Sequence, residues 1–540
     1  MRNKLVIYTP LLLALTMITG IFIGNSLKRN SQLTRSGFTM GAPNKIGTIL
    51  SLVDHGYVDS VDLAGIVEKS IPEILKNFDP HTVYIPASEM QEVREEMEGN
   101  FSGIGVQFSI QEDTVRVIEV IAGGPSSKVG LLAGDRIVTV NGRVIAGVKI
   151  DNNEVLSILR GAKGTTVTLG IVRTGVPETL IFEIVRGDIP LYSVDVSYMI
   201  NEETGYIKIE RFSETTYREF YQGITKLKEE GARKVIIDLR GNVGGYLTQV
   251  LKMVDEFLEK DEPILYTMGE HQPKKTYNAS ARNAFAEMGI FVLIDEYSAS
   301  ASEIFAGAMQ DNDRGLVIGR RSFGKGLVQE QIPLTDGSAL RLTVARFYTP
   351  SGRSIQKSYN QGTDQYYQDI LQRIHSGGLI ADSTSLVDSL QYRTKSGRIV
   401  YGGGGIMPDI FVPLDTTGYS EYLEKLIRRG IIYQFAYFYA DKNREVLNRF
   451  SSVDELEKYL DRAPLLRELI QYAEKKGIPV DRQDVKESEQ ILETQAKAYI
   501  ARNIIGNEGF YPIIKQIDST LLKAIEITRQ NLLVENVNRN

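Results

Sequence analysis

The chain has 540 residues, with 62 Lys and Arg against 68 Asp and Glu and a formal net charge of −6. This mildly acidic balance offers no general grip on nucleic acid, which requires a basic surface against the phosphates. There is no Cys, no Trp and only four His, which excludes thiol nucleophiles, zinc–thiolate sites, iron–sulfur clusters, disulfide staples and anchoring through a lipidated N-terminal Cys, and makes a multi-His metal centre improbable.

At roughly 150 residues per domain, the length predicts three or four folded units. Arg2 and Lys4 precede an uncharged run from Leu5 to Gly24, and Lys28 and Arg29 follow it. Twenty residues at about 1.5 Å rise span roughly 30 Å, the hydrocarbon thickness of a bilayer. No small-x-small cleavage site closes the run, so residues 1–28 are expected to be an uncleaved signal-anchor. That start leaves the rest of the chain outside the cytoplasm, on the periplasmic side of a bacterial inner membrane. Residues 29–98 read as a linker and a helical region, interrupted by DPHTVYI, a turn and a short strand.

From 99 to 188 the texture changes to short β runs with Gly turns, and one helical piece opens on Asp151 with Glu154 as its capping partner. GIGV at 103–106, GPSSKVGLLAGDRIVTVNG at 124–142 and LRGAKGT at 159–165 resemble a PDZ domain. Successive N–H groups of Gly103, Ile104, Gly105 and Val106 can form a small anion nest for a terminal carboxylate. An extended peptide would add beside the strand that follows, with Val155 and Leu159 lining the pocket for its last side chain.

Residues 189–415 alternate strands with helices, which predicts an α/β core whose strands are buried on both faces. Residues 416–540 read as helical, with Ser452 and Glu455 forming a capping box. Four chemistries compete in the core. Gly319 to Lys325 fits a P-loop spacing, but Gly326 replaces the Mg²⁺-binding hydroxyl and a strand follows instead of a helix. Ser322-Phe-Gly-Lys325 fits S-x-x-K, yet glycines on both sides of the Lys argue against the helix that motif needs. A Ser-His-Asp triad lacks a G-x-S-x-G elbow, and His81 and His271 read as surface residues. The fourth places a nucleophile in SASASEIFAGAMQ, where the hydrophobic strand IFVLID hands over to a helix. There Ser300 stands at a helix N-terminus, and the free N–H of Ala301 can donate to an oxyanion. Ser300 and Glu303 also form S-x-x-E, so a plain N-cap is the competing local reading.

SASASEIFAGAMQDNDRGLVIGRRSFGKGLVQ, with DLRGNVGG at 238–245, DPHTVYI and GGGGIMPDI, closely resembles the carboxyl-terminal-processing (tail-specific) serine peptidases from about residue 45 to 415. The resemblance implies a crotonase-like α/β protease core behind the PDZ domain, no metal or organic cofactor, and protein substrates recognised by their C-terminal tails. It places the nucleophile on Ser300, the general base on Lys325, its supporting Gln on Gln329, and the oxyanion donors on Ala301 and the Gly244–Gly245 turn, with Gly244 favoured. Gln329 would share a strand face with Lys325. Burial without a carboxylate partner would lower the Lys325 pKa towards ~7–8. A regulatory PDZ is also implied. Two readings from other classes stay open: an inactive PDZ scaffold, and an acyl-thioester enzyme of crotonase type. Nothing carries over to 416–540, whose helices could dimerise, bind an adaptor or brace the core.

Overall fold

The computed structural model describes residues 45–121, 123–375, 377–379 and 390–530. The membrane run Leu5–Gly24 lies outside them, and among the described residues no helix is long and apolar enough to cross a membrane. The chain divides into two units, Met1–Ile71 and Pro72–Asn540. Within the first, helix Lys45–Gly56 buries no residue and exposes Ile46, Ile49 and Leu52.

The second unit is built around an α/β core. Its elements are β1 (Val194–Met199), β2 (Thr204–Ile209), α1 (Thr216–Glu229), β3 (Lys234–Asp238), α2 (Leu247–Asp255), β4 (Gly289–Ile294), α3 (Ala301–Asp311), β5 (Gly315–Gly319), β6 (Leu327–Pro333), β7 (Ala339–Tyr348), β8 (Ile410–Phe411) and, far along the chain, α4 (Ser519–Arg529). The main sheet runs β1-β2-β3-β4-β5-β8, antiparallel only between β1 and β2. Successive side chains point to opposite faces, so neighbours in one strand serve different layers. Val235, Ile237, Val292 and Ile294 pack with α1, α2 and α3, while Ile236, Phe291, Leu293 and Ile318 pack with Leu521, Ala524 and Ile525 of α4. Both faces being covered explains why these strands are continuously apolar. Helix α3 is buried along all of its residues, which suits its small, apolar sequence.

Beside this sheet stands an antiparallel one, in which β7 pairs with β6, with strand Pro263–Met268 and with the short strand Val83–Ile85 of the DPHTVYI segment. The PDZ-like segment forms an antiparallel sheet in the order Val106–Gln111, Thr114–Val120, Arg136–Val140, Thr166–Val172, Leu180–Val185. Its helix Asn152–Leu159 is capped as expected, Asp151 accepting from the N–H of Glu154 at 2.8 Å.

The C-terminal helices pack around Glu489–Ile505, with Leu492, Ala496 and Ile500 at the centre. Ser452 does sit at the N-cap of Val453–Leu460, but without the side-chain cap hydrogen bond that its sequence suggests. This region braces the rest of the unit. Tyr437 Oη donates to the Val117 carbonyl of the PDZ-like sheet at 3.2 Å, and α4 supplies the second face of the main sheet.

Candidate active site

In a parallel sheet the ligand crevice lies at the carboxyl ends of the strands. Here the loops after β3, β4 and β5 converge at that edge and are tied by buried polar groups. Asn242, after β3, is fully buried; its carbonyl accepts from the N–H of Ala299 at 3.0 Å and from Ser302 Oγ at 2.8 Å. Asp295, after β4, accepts from the N–H of Gly241 at 3.0 Å. The N–H of Phe323, after β5, donates to the Ser298 carbonyl at 3.0 Å.

Ser300 occupies the bend between β4 and α3 with φ 55° and ψ −110°. This left-handed conformation is strained for any residue with a Cβ, and such strain clusters at functional sites. The sequence lacks G-x-S-x-G, yet the chain makes the same kind of sharp strand-to-helix turn that exposes a nucleophile in that motif. Ser300 is the N-cap of α3 with Glu303 as its capping-box partner, as the local reading expects, but its backbone departs from the extended geometry of an ordinary cap. The N–H of Ala301 is at the first helical position and carries no hydrogen bond among the described residues.

The Gly244–Gly245 turn lies directly against this bend. A Cβ on Gly244, whose φ is 103°, would come within 2.7 Å of Ser300 Cβ, 2.9 Å of the Ala299 oxygen and 3.0 Å of the Ala301 nitrogen. Gly244 is required for that approach, but its N–H already donates to Asn242 Oδ1 at 2.9 Å. The N–H expected to serve as oxyanion donor is thus already engaged, whereas the neighbouring N–H of Gly245 has no partner among the described residues. Gly244→Ala is expected to destabilise the fold by about 2–4 kcal/mol and to displace the Ser300 bend, measurable by thermal melting alongside peptidase assay.

Lys325 lies in the irregular stretch between β5 and β6; neither a P-loop helix nor an S-x-x-K helix forms there. The expected shared strand face is not the device, because Lys325 precedes β6 and a bulge falls between Val328 and Gln329. The two side chains meet nonetheless, Nζ donating to Gln329 Oε1 at 3.1 Å. Burial, helped by the Arg341 charge, pushes the Lys325 amine down to about 8, against Glu303 and Asp79, which hold it up. Carboxylates are thus close by, contrary to the sequence expectation, but desolvation outweighs them.

Sequence reasoning treated Glu303 only as the capping partner of Ser300. In the structure it is a fully buried carboxylate with four donors. Oε2 accepts from the N–H of Ser300 at 2.9 Å and of Lys325 at 2.8 Å; Oε1 accepts from Ser322 Oγ at 2.5 Å and the N–H of Gly324 at 2.8 Å. Because two amides share Oε2, the nitrogens of Ser300 and Lys325 lie within about 6 Å of each other. Burial raises the Glu303 pKa although all four hydrogen bonds pull it down. The Gly tract completes the scaffold. The N–H of Ile406 donates to Ser322 Oγ at 2.6 Å, and a Cβ on Gly405 would meet the Ser322 carbonyl at 2.7 Å.

His271 is exposed, as expected, whereas His81 is half-buried. Its Nε2 lies 2.9 Å from Tyr366 Oη, and burial, then the Lys325 charge, pushes its pKa down to about 3. In the PDZ-like segment, Val106–Gln111 is an edge strand, paired among the described residues with Thr114–Val120 alone. The N–H groups of Ile104 and Gly105 carry no hydrogen bond among the described residues, whereas Gly103 pairs with Gly187. Val155 and Leu159 are buried in the core of this segment, packed with Ile104 and Val167, so they are core residues before they can be pocket walls.

Similarity to known proteins gives the class first. The family model described as Peptidase family S41 matches residues 203–366, that of the PDZ domain matches 102–184, and that of a family of unknown function (DUF8443) matches 422–506. The chain is 36% identical over 347 residues to a carboxy-terminal-processing protease of Bartonella bacilliformis, covering 63% of this chain and 79% of that protein. It is 34% identical over 319 residues to the carboxy-terminal processing protease CtpB of Bacillus subtilis, covering 58% and 66%. Among solved structures, a photosystem II D1 C-terminal processing protease aligns over 57% of this chain and 89% of that one, at 26% identity and a TM-score of 0.33. The chain belongs to the carboxy-terminal-processing protease family, and it is a serine-type peptidase with a PDZ domain.

Proposed function

We propose that the chain is an endopeptidase that cleaves protein substrates selected by their C-terminal tails, using Ser300 as nucleophile and Lys325 as general base on a crotonase-like core. On this reading residues 5–24 tether it to the membrane with the peptidase on the extracytoplasmic side. Ser300 Oγ bonds to the scissile carbonyl carbon while its proton passes to the neutral Nζ of Lys325. The oxyanion meets the N–H groups of Ala301 and Gly245. Lys325 returns the proton to the departing amine, and water then attacks the acyl-enzyme and releases the second product. Gln329 holds Nζ in line.

The observation that carries the reading is the buried Glu303 carboxylate, which fastens the backbones of Ser300 and Lys325 to one oxygen. The edge strand Val106–Gln111 and the unpaired N–H groups of Ile104 and Gly105 support tail binding at the PDZ domain, which would favour the aligned site when occupied.

Reaction with a serine-directed phosphonate tests both parts. The label is expected on the peptide containing Ser300, at a rate rising about tenfold per pH unit below about 8 and level above it, because only the neutral amine accepts the proton. A non-cleavable tail peptide is expected to accelerate labelling. A label elsewhere, or a rate indifferent to pH, refutes the dyad; indifference to the tail peptide refutes the regulation.

A further inference from the structure

The DPHTVYI segment has no part in the chemistry above, yet it reaches the base. Gln329 Nε2 donates to the backbone carbonyl of His81, while Gln329 Oε1 accepts from Lys325 Nζ. An amide offers one acceptor end and one donor end, so occupying the donor end with a carbonyl turns the acceptor end towards the lysine. What fixes the His81 carbonyl is therefore part of what orients the base.

That carbonyl sits in a turn organised by one side chain. Asp79 is buried, and its Oδ1 accepts from the N–H of His81 at 2.8 Å, the N–H of Thr82 at 2.9 Å and Thr343 Oγ1 at 3.1 Å. Its Oδ2 accepts from Thr82 Oγ1 at 2.5 Å. Thr343 is the residue of β7 that stands opposite Gln329 of β6. The turn is thus bolted to the same strand pair that carries Gln329. A second side is held by helix Thr363–His375, where Tyr366 Oη meets the His81 ring and Tyr367 Oη donates to the Pro80 carbonyl at 2.9 Å.

We propose that Asp79 is a positioning residue: it holds the His81 carbonyl against Gln329, and so compels the Gln329 amide to present its oxygen to Lys325. The proposal rests on Lys325 being the base. Asp79 touches neither substrate nor the reacting atoms on this account; it acts through Gln329. Asp79→Asn would remove the charge that holds three donors on Oδ1 and, by placing an N–H₂ against Thr82 Oγ1, force that hydroxyl to accept, which loosens the turn.

The test compares the full chain with Asp79→Asn, Gln329→Ala and the double variant, measuring kcat and KM on a small peptide substrate and thermal melting of each. Asp79→Asn and Gln329→Ala are each expected to lower kcat about tenfold with KM little changed. The double variant is expected to be no slower than the slower single one, since a residue acting through Gln329 has nothing left to position once Gln329 is gone. Losses that multiply, or an unchanged kcat in either single variant, overturn the proposal. If Asp79→Asn shows no cooperative melting, Thr343→Val, which removes one of the four donors, takes its place with the same expected pattern. Lys325→Ala keeps the two ideas apart. Full activity there defeats the dyad itself, whereas its loss, combined with multiplying losses at Asp79 and Gln329, defeats only the positioning role.

Discussion

Lys325→Met is expected to abolish peptidase activity, by about 10⁴-fold or more, and at the same time to make the protein more stable at pH 7. The loss follows from removing the proton acceptor. The gain follows from what the amine costs the fold. Its value falls from the ordinary 10.5 to about 8 on folding, with burial the main cause. At pH 7 the group is charged both folded and unfolded, but only the folded state has withdrawn it from water. Met has the stem without the charge, so about 1–3 kcal/mol of stability should be recovered. The sign can be checked with pH. In the native protein this penalty eases as pH rises from about 8 towards 10.5, because the folded lysine loses its proton before the unfolded one does. The advantage of Lys325→Met in thermal melting should therefore shrink over that interval. Ser300→Ala should be equally inactive but should keep the strained φ of 55°, whereas Ser300→Gly, which tolerates that conformation, should also melt higher, by about 1 kcal/mol.

Glu303→Gln is expected to be damaging in both respects. The carboxylate offers acceptors alone, and four donors converge on it. Gln turns half of that group into a donor, so one or two of the four partners would face an N–H in a fully buried position. An unsatisfied buried donor costs about 1–3 kcal/mol, which puts the destabilisation near 3 kcal/mol or above. The geometric effect is larger than the energetic one. Ser300 and Lys325 are fastened through the same Oε2, so release of either amide separates the bend that carries the hydroxyl from the loop that carries the amine. A loss of about 10³-fold in kcat is expected, read beside circular dichroism to confirm that the variant is folded. A Glu303→Gln variant with near-native kcat would show that the two backbones are held together by other means.

Much of this site was legible without coordinates because it is written in contiguous residues. IFVLID followed by SASASE announces a buried strand turning into a helix. The glycines of DLRGNVGG and GGGGIMPDI announce close backbone approach, and Gly244 and Gly405 do meet Ser300 and Ser322 in that way. What could not be read was which polar group answers which. Glu303 looked like the ordinary third residue of a helix start. Its role appeared only when Ser322, Gly324 and Lys325 were brought to it across 19 to 22 residues of chain. His81 looked like a surface residue because turns usually are exposed, and its enclosure by Tyr366 comes from a helix nearly three hundred residues away. The favoured N–H of Gly244 proved to be taken by Asn242, two residues earlier, through a turn whose closure no pattern specifies.

The sequence by itself determined the family and the order of a PDZ segment, an α/β core and a helical tail, and it singled out the serine and lysine proposed here as nucleophile and base, because periodicity and short glycine-rich motifs are local properties of the chain. Tertiary structure alone decided the surroundings of those two residues: the carboxylate that joins them, the turn that reaches Gln329, and helix α4 closing the second face of the sheet. The physical reason is that desolvation and hydrogen-bond pairing depend on which distant segments come into contact, and those contacts exist only once the chain has folded.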